Sequence, residues 1–386
     1  MSEKFLALGL QPDLVKALDE MNFLQPTPIQ EQTIPAALKG DNIVGRSATG
    51  TGKTLAYLLP ILQKIDLESS AVQAVILAPT YELAMQISHQ VQLVVQKAEM
   101  KITSLSLIGG ANVTRQIEKL KKKPQIVIGS AGRINELQRK GKLKMQQVKF
   151  LVLDEVDRLL DDQNQESIEQ VLKCIGKDCQ HFLFSATIAA KTMKRASFVL
   201  NPTIVKLGDD LILQPQIENF YFITTFRDKI EVLRKLTKLF PVKRGLVFVN
   251  KMYDLGKTME NLTYNDIKVA ALTGDADKLS RKKAIDDFTK GKVTLLLATD
   301  LAARGLDIPD IDYVINLDIP ENEGIYLHRA GRTGRAGATG IAVSLVDSKE
   351  VTHFVEIGKK LNLQFVPKKM LNGKIVDFMV KPKHWK

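Results

Sequence analysis

Two series of short, unbroken apolar runs set the terms for what this chain can fold into. The first comprises AVILAP (74–79), QIVIGS (125–130), FLVLDE (150–155) and HFLFSAT (181–187). The second comprises NFYFIT (219–224), GLVFVN (245–250), VTLLLATD (293–300) and YVINLD (313–318). Runs of this length without polar alternation predict strands buried on both faces, hence parallel sheets covered by helices on both faces. Between them lie helically periodic segments such as YELAMQISHQVQLVVQKA (81–98), which supply the crossovers that parallel strands need. A chain of 386 residues exceeds what one core serves, so the two series predict two α/β domains in tandem. The pattern breaks at GDDLILQPQIE (208–218). The expected division is a first domain at 1–207, a linker at 208–217, a second domain at 218–366 and a basic tail at 367–386. That tail holds six lysines against one aspartate.

Charge narrows the class of partner. Against 43 acidic residues stand 55 basic ones, a net +12 that favours a polyanion, with nucleic acid ahead of an anionic membrane surface. A protein that merely happens to be basic is the alternative that charge alone leaves open. Aromatic residues make up only 6%, with no basic–aromatic interleaving, so contact with a sugar–phosphate backbone is expected rather than base readout. Two cysteines, Cys174 and Cys179, without metal-ligand spacing disfavour a disulfide framework or a structural zinc. The opening MSEKFLALGL is a poor signal peptide and no run reaches the ~18 apolar residues of a membrane span, so a cytoplasmic protein is expected.

The stretch SATGTGKT (Ser47, Ala48, Thr49, Gly50, Thr51, Gly52, Lys53, Thr54) follows a short strand candidate, NIVG. Glycines there let backbone amides wrap phosphate oxygens, and the N-terminus of a following helix adds partial positive charge. In such a loop Lys53 reaches the β- and γ-phosphates and the Thr54 hydroxyl ligates Mg²⁺. The strict pattern begins with Gly, whereas Ser47 stands here, and taken alone the stretch is also compatible with a glycine-rich turn. FLVLDEVDRLL (150–160) then crowds Asp154, Glu155 and Asp157 at the end of an apolar run, where ligands bind in parallel α/β sheets. Asp154 is expected to grip the same Mg²⁺, partly through water, and Glu155 to orient and deprotonate a water. Asp157 is better placed to hold other parts of the machinery. A negatively charged helix N-terminus accounts for the carboxylates equally well by themselves, but not for a lysine-bearing phosphate loop upstream.

From Phe5 to about Val366 the chain resembles the DEAD-box RNA helicases of superfamily 2. The family's motifs stand in family order: NFLQPTPIQ (22–30), SATGTGKT (47–54), PTYELA (79–84), the pair Gly109–Gly110, SAGR (130–133), DEVD (154–157) and SAT (185–187). VFVN (247–250), TGDADKLSR (273–281), ATDLAARGLDI (298–308) and HRAGRTGR (328–335) follow in the second half. The resemblance implies two RecA-like domains closing around ATP and single-stranded RNA. It implies that Gln30 recognises the adenine edge with Phe23 stacking and Phe5 in support, and that Asp307 holds the ribose. Arg332 and Arg335 are implied as arginine fingers acting from the other domain, so that hydrolysis requires closure. His328 is implied to help link the γ-phosphate to Ser185 and Thr187, which with Asp157 form the coupling set. RNA would be held by Thr80, Gly110 and Arg133 in the first domain and by Asn250, Gly274, Arg281 and Thr299 in the second, with 2′-hydroxyls distinguishing RNA from DNA.

Several positions depart from the family pattern. Tyr81 replaces an arginine, Ser130 and Ala131 alter the TPGR motif, and Val156 turns DEAD into DEVD. Thr273 stands where histidine is usual and Asn22 where glycine is usual. ATP binding is expected to be intact; RNA affinity and unwinding are where deviation is expected. The expected function is an RNA-stimulated, Mg²⁺-dependent ATPase that opens or remodels short RNA duplexes or RNA–protein complexes, as a monomer, with protein partners setting the choice of RNA. An ATP-gated RNA clamp with weak unwinding is the alternative, and a DNA-directed superfamily 2 motor a more distant one. Trp385 could stack on a base or pack back on the second domain, within a tail expected to be disordered and to attract RNA by charge alone; the Lys119–Lys123 cluster could touch RNA, but a solvated helix end is the expectation.

Overall fold

The computed structural model describes residues 2–47, 51–109, 112–188, 190–206, 217–239, 244–250, 252–272, 278–303, 308, 311–334 and 339–378. The chain divides into two units, Met1–Asp209 and Asp210–Lys386. Most of the segment expected to be a linker lies outside the described residues, as do Ala48, Thr49, Gly50, Gly110, Thr273, Gly274, Asp307, Arg335 and Trp385.

In the first unit the described strands are β1 (Ile43–Arg46), β2 (Ala74–Leu77), β3 (Ser104–Leu107), β4 (Ile126–Gly129), β5 (Phe150–Asp154), β6 (Gln180–Ser185) and β7 (Thr203–Lys206). They form one sheet in the order β3-β4-β2-β5-β6-β1-β7, and every pairing is parallel. The apolar runs divide between two cores by alternation, as a pleat demands. Ile76, Ile128, Val152 and Phe182 face one; Val75, Val127, Leu151 and Leu183 face the other. The inner strands β2, β4 and β5 are buried on both sides because helices cover both, which is why the sequence shows runs rather than alternation there.

In the second unit the strands are β8 (Ile217–Thr224), β9 (Gly245–Phe248), β10 (Val269–Leu272), β11 (Leu295–Ala298), β12 (Tyr313–Asn316), β13 (Gly340–Asp347), β14 (Val366–Leu371) and β15 (Lys374–Asp377). Their order is β10-β11-β9-β12-β13-β8-β14-β15. This sheet corrects the expectation of two purely parallel sheets, because β15 returns antiparallel on β14. It also takes residues 367–377 out of the basic tail. Asn372 (φ 49) and Gly373 (φ 69) form a two-residue turn, the positive-φ pair that hairpins favour. Met370 and Ile375 pack on the core, Lys368 lies over the Phe220 ring at 5.9 Å, and Lys369 and Lys374 are exposed. Lysine density at the end of the chain suggested a tail, but alternation with those apolar residues makes an edge hairpin.

Candidate active site

The order β5-β6-β1 brings three strand ends together in the first unit: the loop leaving β1 at Ser47, the end of β5 at Asp154 and the end of β6 at Ser185. Ser47 is buried, and its N–H donates to the Ser185 carbonyl at 3.1 Å. Its hydroxyl donates to Thr51 Oγ1 at 2.6 Å, and Lys53 Nζ donates to its carbonyl at 2.6 Å. Thus Ser47, where the strict motif has glycine, pins the described parts of the loop from within. Gly52 has φ 91 and begins the helix Lys53–Lys64. A Cβ there would fall 2.5 Å from Gln30 Nε2, so only glycine fits this turn.

Gln30 lies in the first turn of the helix Pro28–Lys39 and is buried. Its Oε1 accepts from the Thr27 N–H at 2.9 Å and its Nε2 donates to the Gly52 carbonyl at 3.1 Å. Phe23 is 40% exposed, whereas Phe5 is 0% exposed within the core, so Phe5 acts by packing rather than by touching a ligand. Asn22 adopts φ 61, a left-handed position that asparagine tolerates better than other non-glycine residues. Its departure from glycine therefore costs little.

Asp154 is buried at the end of β5, and its two oxygens accept from the Tyr57 hydroxyl at 3.0 Å and the Glu155 N–H at 3.0 Å. Burial pushes its pKa up to about 6, against the pull of Lys53 and those two hydrogen bonds and with Glu155 adding repulsion. Glu155 stands at φ 56, ψ 54, a left-handed conformation costing a β-carbon residue on the order of 1–2 kcal/mol. Its Oε2 is buried without a hydrogen bond, 3.6 Å from Arg158 Nη1. Thr27 Oγ1, near Gly52, is a second buried oxygen without a partner. Val156 is buried in the core beneath the carboxylates. Asp157 accepts from Ser185 Oγ at 2.6 Å and from Thr187 Oγ1 at 2.6 Å, bringing together the three residues expected to act as a coupling set.

The expected RNA residues of this unit have structural partners as well. Thr80 Oγ1 accepts from the Leu83 N–H at 3.2 Å and caps the helix Tyr81–Lys97, while Tyr81 packs against the core. Arg133 lies 3.0 Å from Glu136 and donates to Gln116 Oε1 at 3.3 Å; Gln116 in turn donates to the Ile108 carbonyl beside Gly109. Ser130 and Ala131 open the helix Ala131–Arg139.

In the second unit Arg329 organises the corresponding strand ends. It is 1% exposed, and all five of its N–H groups are used. Nε and Nη2 donate to Asp300 at 2.7 Å each, Nη2 also to Asn250 Oδ1 at 2.7 Å, and Nη1 to Asn316 Oδ1 at 3.2 Å and the Asp318 carbonyl at 2.7 Å. Asn250 is therefore held by Arg329, by its own N–H on Asp318 and by its Nδ2 on the Ile319 carbonyl. Thr299 Oγ1 accepts from the Ala302 N–H, and Arg281 Nη2 donates to the Ala302 carbonyl. His328 and Arg332 line one small pocket with Asp300 and Phe248.

This architecture coincides with known proteins along nearly its whole length. A family described as DEAD/DEAH box helicase matches residues 27–196, and one described as helicase conserved C-terminal domain matches 228–337. The DEAD-box ATP-dependent RNA helicase CshC of Bacillus cereus is 41% identical over 97% of this chain and 95% of its own length. The chain belongs to the DEAD-box RNA helicase family. The probable ATP-dependent RNA helicase YfmL of Bacillus subtilis is 42% identical, covering 92% of this chain and 93% of its own. Among solved structures, S. cerevisiae Dbp5 bound to RNA and ADP BeF3 superposes with a TM-score of 0.85 at 32% identity, over 94% of this chain and 95% of that one. Mss116p bound to ssRNA and AMP-PNP gives 0.83 at 28% identity, over 94% and 78%.

Within this DEAD-box helicase, two partners of the motifs escaped the sequence. Tyr57 is an apolar-looking position of the helix after the phosphate loop, yet its hydroxyl reaches Asp154. Arg329 hides inside HRAGRTGR, where Arg332 and Arg335 draw attention; three arginines in one run cannot be ranked for burial without the fold. Among the described residues of the helicase, no helix is long and apolar enough to cross a membrane.

Proposed function

We propose that this chain couples ATP hydrolysis to RNA binding and uses it to open or remodel short RNA duplexes or RNA–protein complexes. The observation that carries this reading is the set around Asp154: a buried carboxylate raised by desolvation, Glu155 with a buried oxygen that accepts no hydrogen bond, and Lys53 beside a glycine-made turn. Gln30 supports the choice of adenine. With one Oε1 lone pair and one Nε2 hydrogen already used, one acceptor and one donor remain. Those match the N6 donor and N7 acceptor of adenine, while guanine offers two acceptors.

The residues fit a divalent cation. Among the described residues no three His, Cys, Asp or Glu side chains form a metal cage. Mg²⁺, which prefers one or two protein oxygens plus substrate phosphates and waters, suits Thr54 and Asp154. Bound there, it would neutralise phosphate charge and relieve the desolvated Asp154 carboxylate. Lys53 exchanges the Ser47 carbonyl for phosphate oxygens. Glu155 Oε2 accepts the proton of the attacking water, and Asp157 holds Ser185 and Thr187 in register with that event. DEVD in place of DEAD leaves these charges unchanged, since Val156 adds only buried bulk. His328, Arg332 and Arg335 complete the ATPase in the roles the family resemblance gives them, and a monomer in the cytoplasm, with partners choosing the RNA, completes the reading.

The test is steady-state ATP hydrolysis with and without single-stranded RNA. RNA should stimulate the rate strongly, and Glu155→Gln should lower the stimulated rate by roughly 10²–10⁴ with ATP binding retained. Equal stimulation by single-stranded DNA, or a Glu155→Gln enzyme of normal rate, would sink the assignment.

A further inference from the structure

The end of the first sheet opposite the phosphate loop carries a groove that the ATPase leaves unused. Three segments enter adjacent strands there: residues 69–72 lead into β2, 120–124 into β4 and 141–147 towards β5. They enclose a cavity of about 620 Å³ whose lining includes Lys121, Lys123, Lys142 and Lys144 and no carboxylate. Val72, Leu120 and Leu143 form its floor as part of the core, so the lysines stand on packed backbone rather than on a loose loop. In KLKMQ (142–146) Leu143 and Met145 are buried while Lys142, Lys144 and Gln146 are exposed, an alternation that aims both lysines outward.

Lys121 is partly neutralised by Glu118 at 2.7 Å, and Lys123 reaches Ser70 Oγ at 3.5 Å. No ion pair with Lys142 or Lys144 occurs among the described residues. Lys123 also holds φ 53, where glycine or asparagine sits more easily. An adjoining cavity shares Ser69, Gln146 and Gln147 but adds Asp66 and Asp178 against one lysine, Lys149, so the net positive charge lies at the end lined by Lys121, Lys123, Lys142 and Lys144. The four-residue strands β2 and β4 alone put at least roughly 13 Å between this groove and the ends where Thr80 and Ser130 stand.

We propose that this groove is a second RNA-backbone site, holding phosphates of a strand or duplex flank that runs past the ATP-coupled site. The proposal rests on the RNA-dependent reading above. Flexible lysines without aromatic neighbours suit phosphate contact without sequence preference. An acidic protein segment is the competing occupant; the activity of the chain on RNA favours nucleic acid.

The test uses the full chain with an ATP analogue and Mg²⁺, comparing single-stranded RNA of about 8 and about 40 nucleotides. Lys142→Glu/Lys144→Glu should weaken the long RNA by at least about fivefold at low salt and flatten its salt dependence by roughly 1.4 in log–log slope. Affinity for the short RNA and the ATPase rate it stimulates should not change. Lys123→Gly should weaken long RNA in the same direction without lowering Tm, which separates charge from folding. Unchanged long-RNA affinity in both variants overturns the proposal, as does a lysine-dependent affinity for poly-glutamate but not for RNA. If short RNA fails to stimulate even the wild-type ATPase, the coupled reading fails, while a variant-sensitive long-RNA affinity still supports the groove.

Discussion

Asp154 shows what a buried carboxylate costs the fold. Its folded pKa of about 6 lies above the ordinary carboxylate value of 3.8, so the unfolded chain ionises it more readily. The linkage follows from that sign. Below pH 4 the group is protonated in both states and costs nothing; between about pH 4 and 6 the cost grows, and above it reaches on the order of 2–3 kcal/mol. Asp154→Asn removes the charge and keeps the shape, and the Tyr57 hydroxyl can turn to accept from the new amide. In metal-free buffer the variant should therefore melt higher than wild type at pH 7.5, with the gap narrowing below about pH 6 and closing below about pH 4, while ATPase activity is lost. Thermal unfolding of both proteins across that range is the check, and a variant that is less stable at pH 7.5 contradicts the desolvation argument. Ser47 and Val156 were legible departures whose consequences were not. Whether a serine in place of glycine loosens the loop depends on Ser185 and Thr51, which only the fold brings to it.

At the level of elements, the apolar runs were legible because parallel strands bury both faces, and each quoted run became a strand. The edges were harder. In β3 every second residue is polar, with buried Leu105 and Leu107 alternating with half-buried Ser104 and Ser106, so the apolar signal is halved at the margin of the sheet. The hairpin β14–β15 was hidden by lysine density, although its Asn-Gly turn is a strong local signal. Helix starts hid dual roles. Thr80 was read as an RNA ligand, yet its hydroxyl caps the helix Tyr81–Lys97. Thr80→Ala should cost about 1 kcal/mol of stability, and Thr80→Ser should restore it. Urea unfolding separates this from binding: a loss of RNA affinity that serine rescues without any change in stability would remove the capping role.

Across the whole molecule, each unit keeps its own core. The two apolar layers of Met1–Asp209 and those of Asp210–Lys386 share no residue among the described ones. A defect at the heart of one unit should therefore spare the packing of the other, even where both serve one activity. Arg329 tests this. Its five hydrogen bonds join β9, β11 and β12 through Asn250, Asp300, Asn316 and Asp318, and its guanidinium lies 5.0 Å from the Phe248 ring centre. Removing a buried cation leaves those acceptors unpaired, at roughly 3–5 kcal/mol. Lysine cannot replace the planar fork, so Arg329→Lys should recover only part of that loss. Hydrogen exchange resolved by segment reads the outcome. In Arg329→Ala, amides of β9, β11 and β12 should exchange faster while those of β2, β4 and β5 stay at wild-type rates. RNA-stimulated ATPase should nevertheless fall, because Asn250 loses the partner that aims it. Faster exchange in both units would mean that their stabilities are coupled, and independent cores would be the wrong description of this helicase.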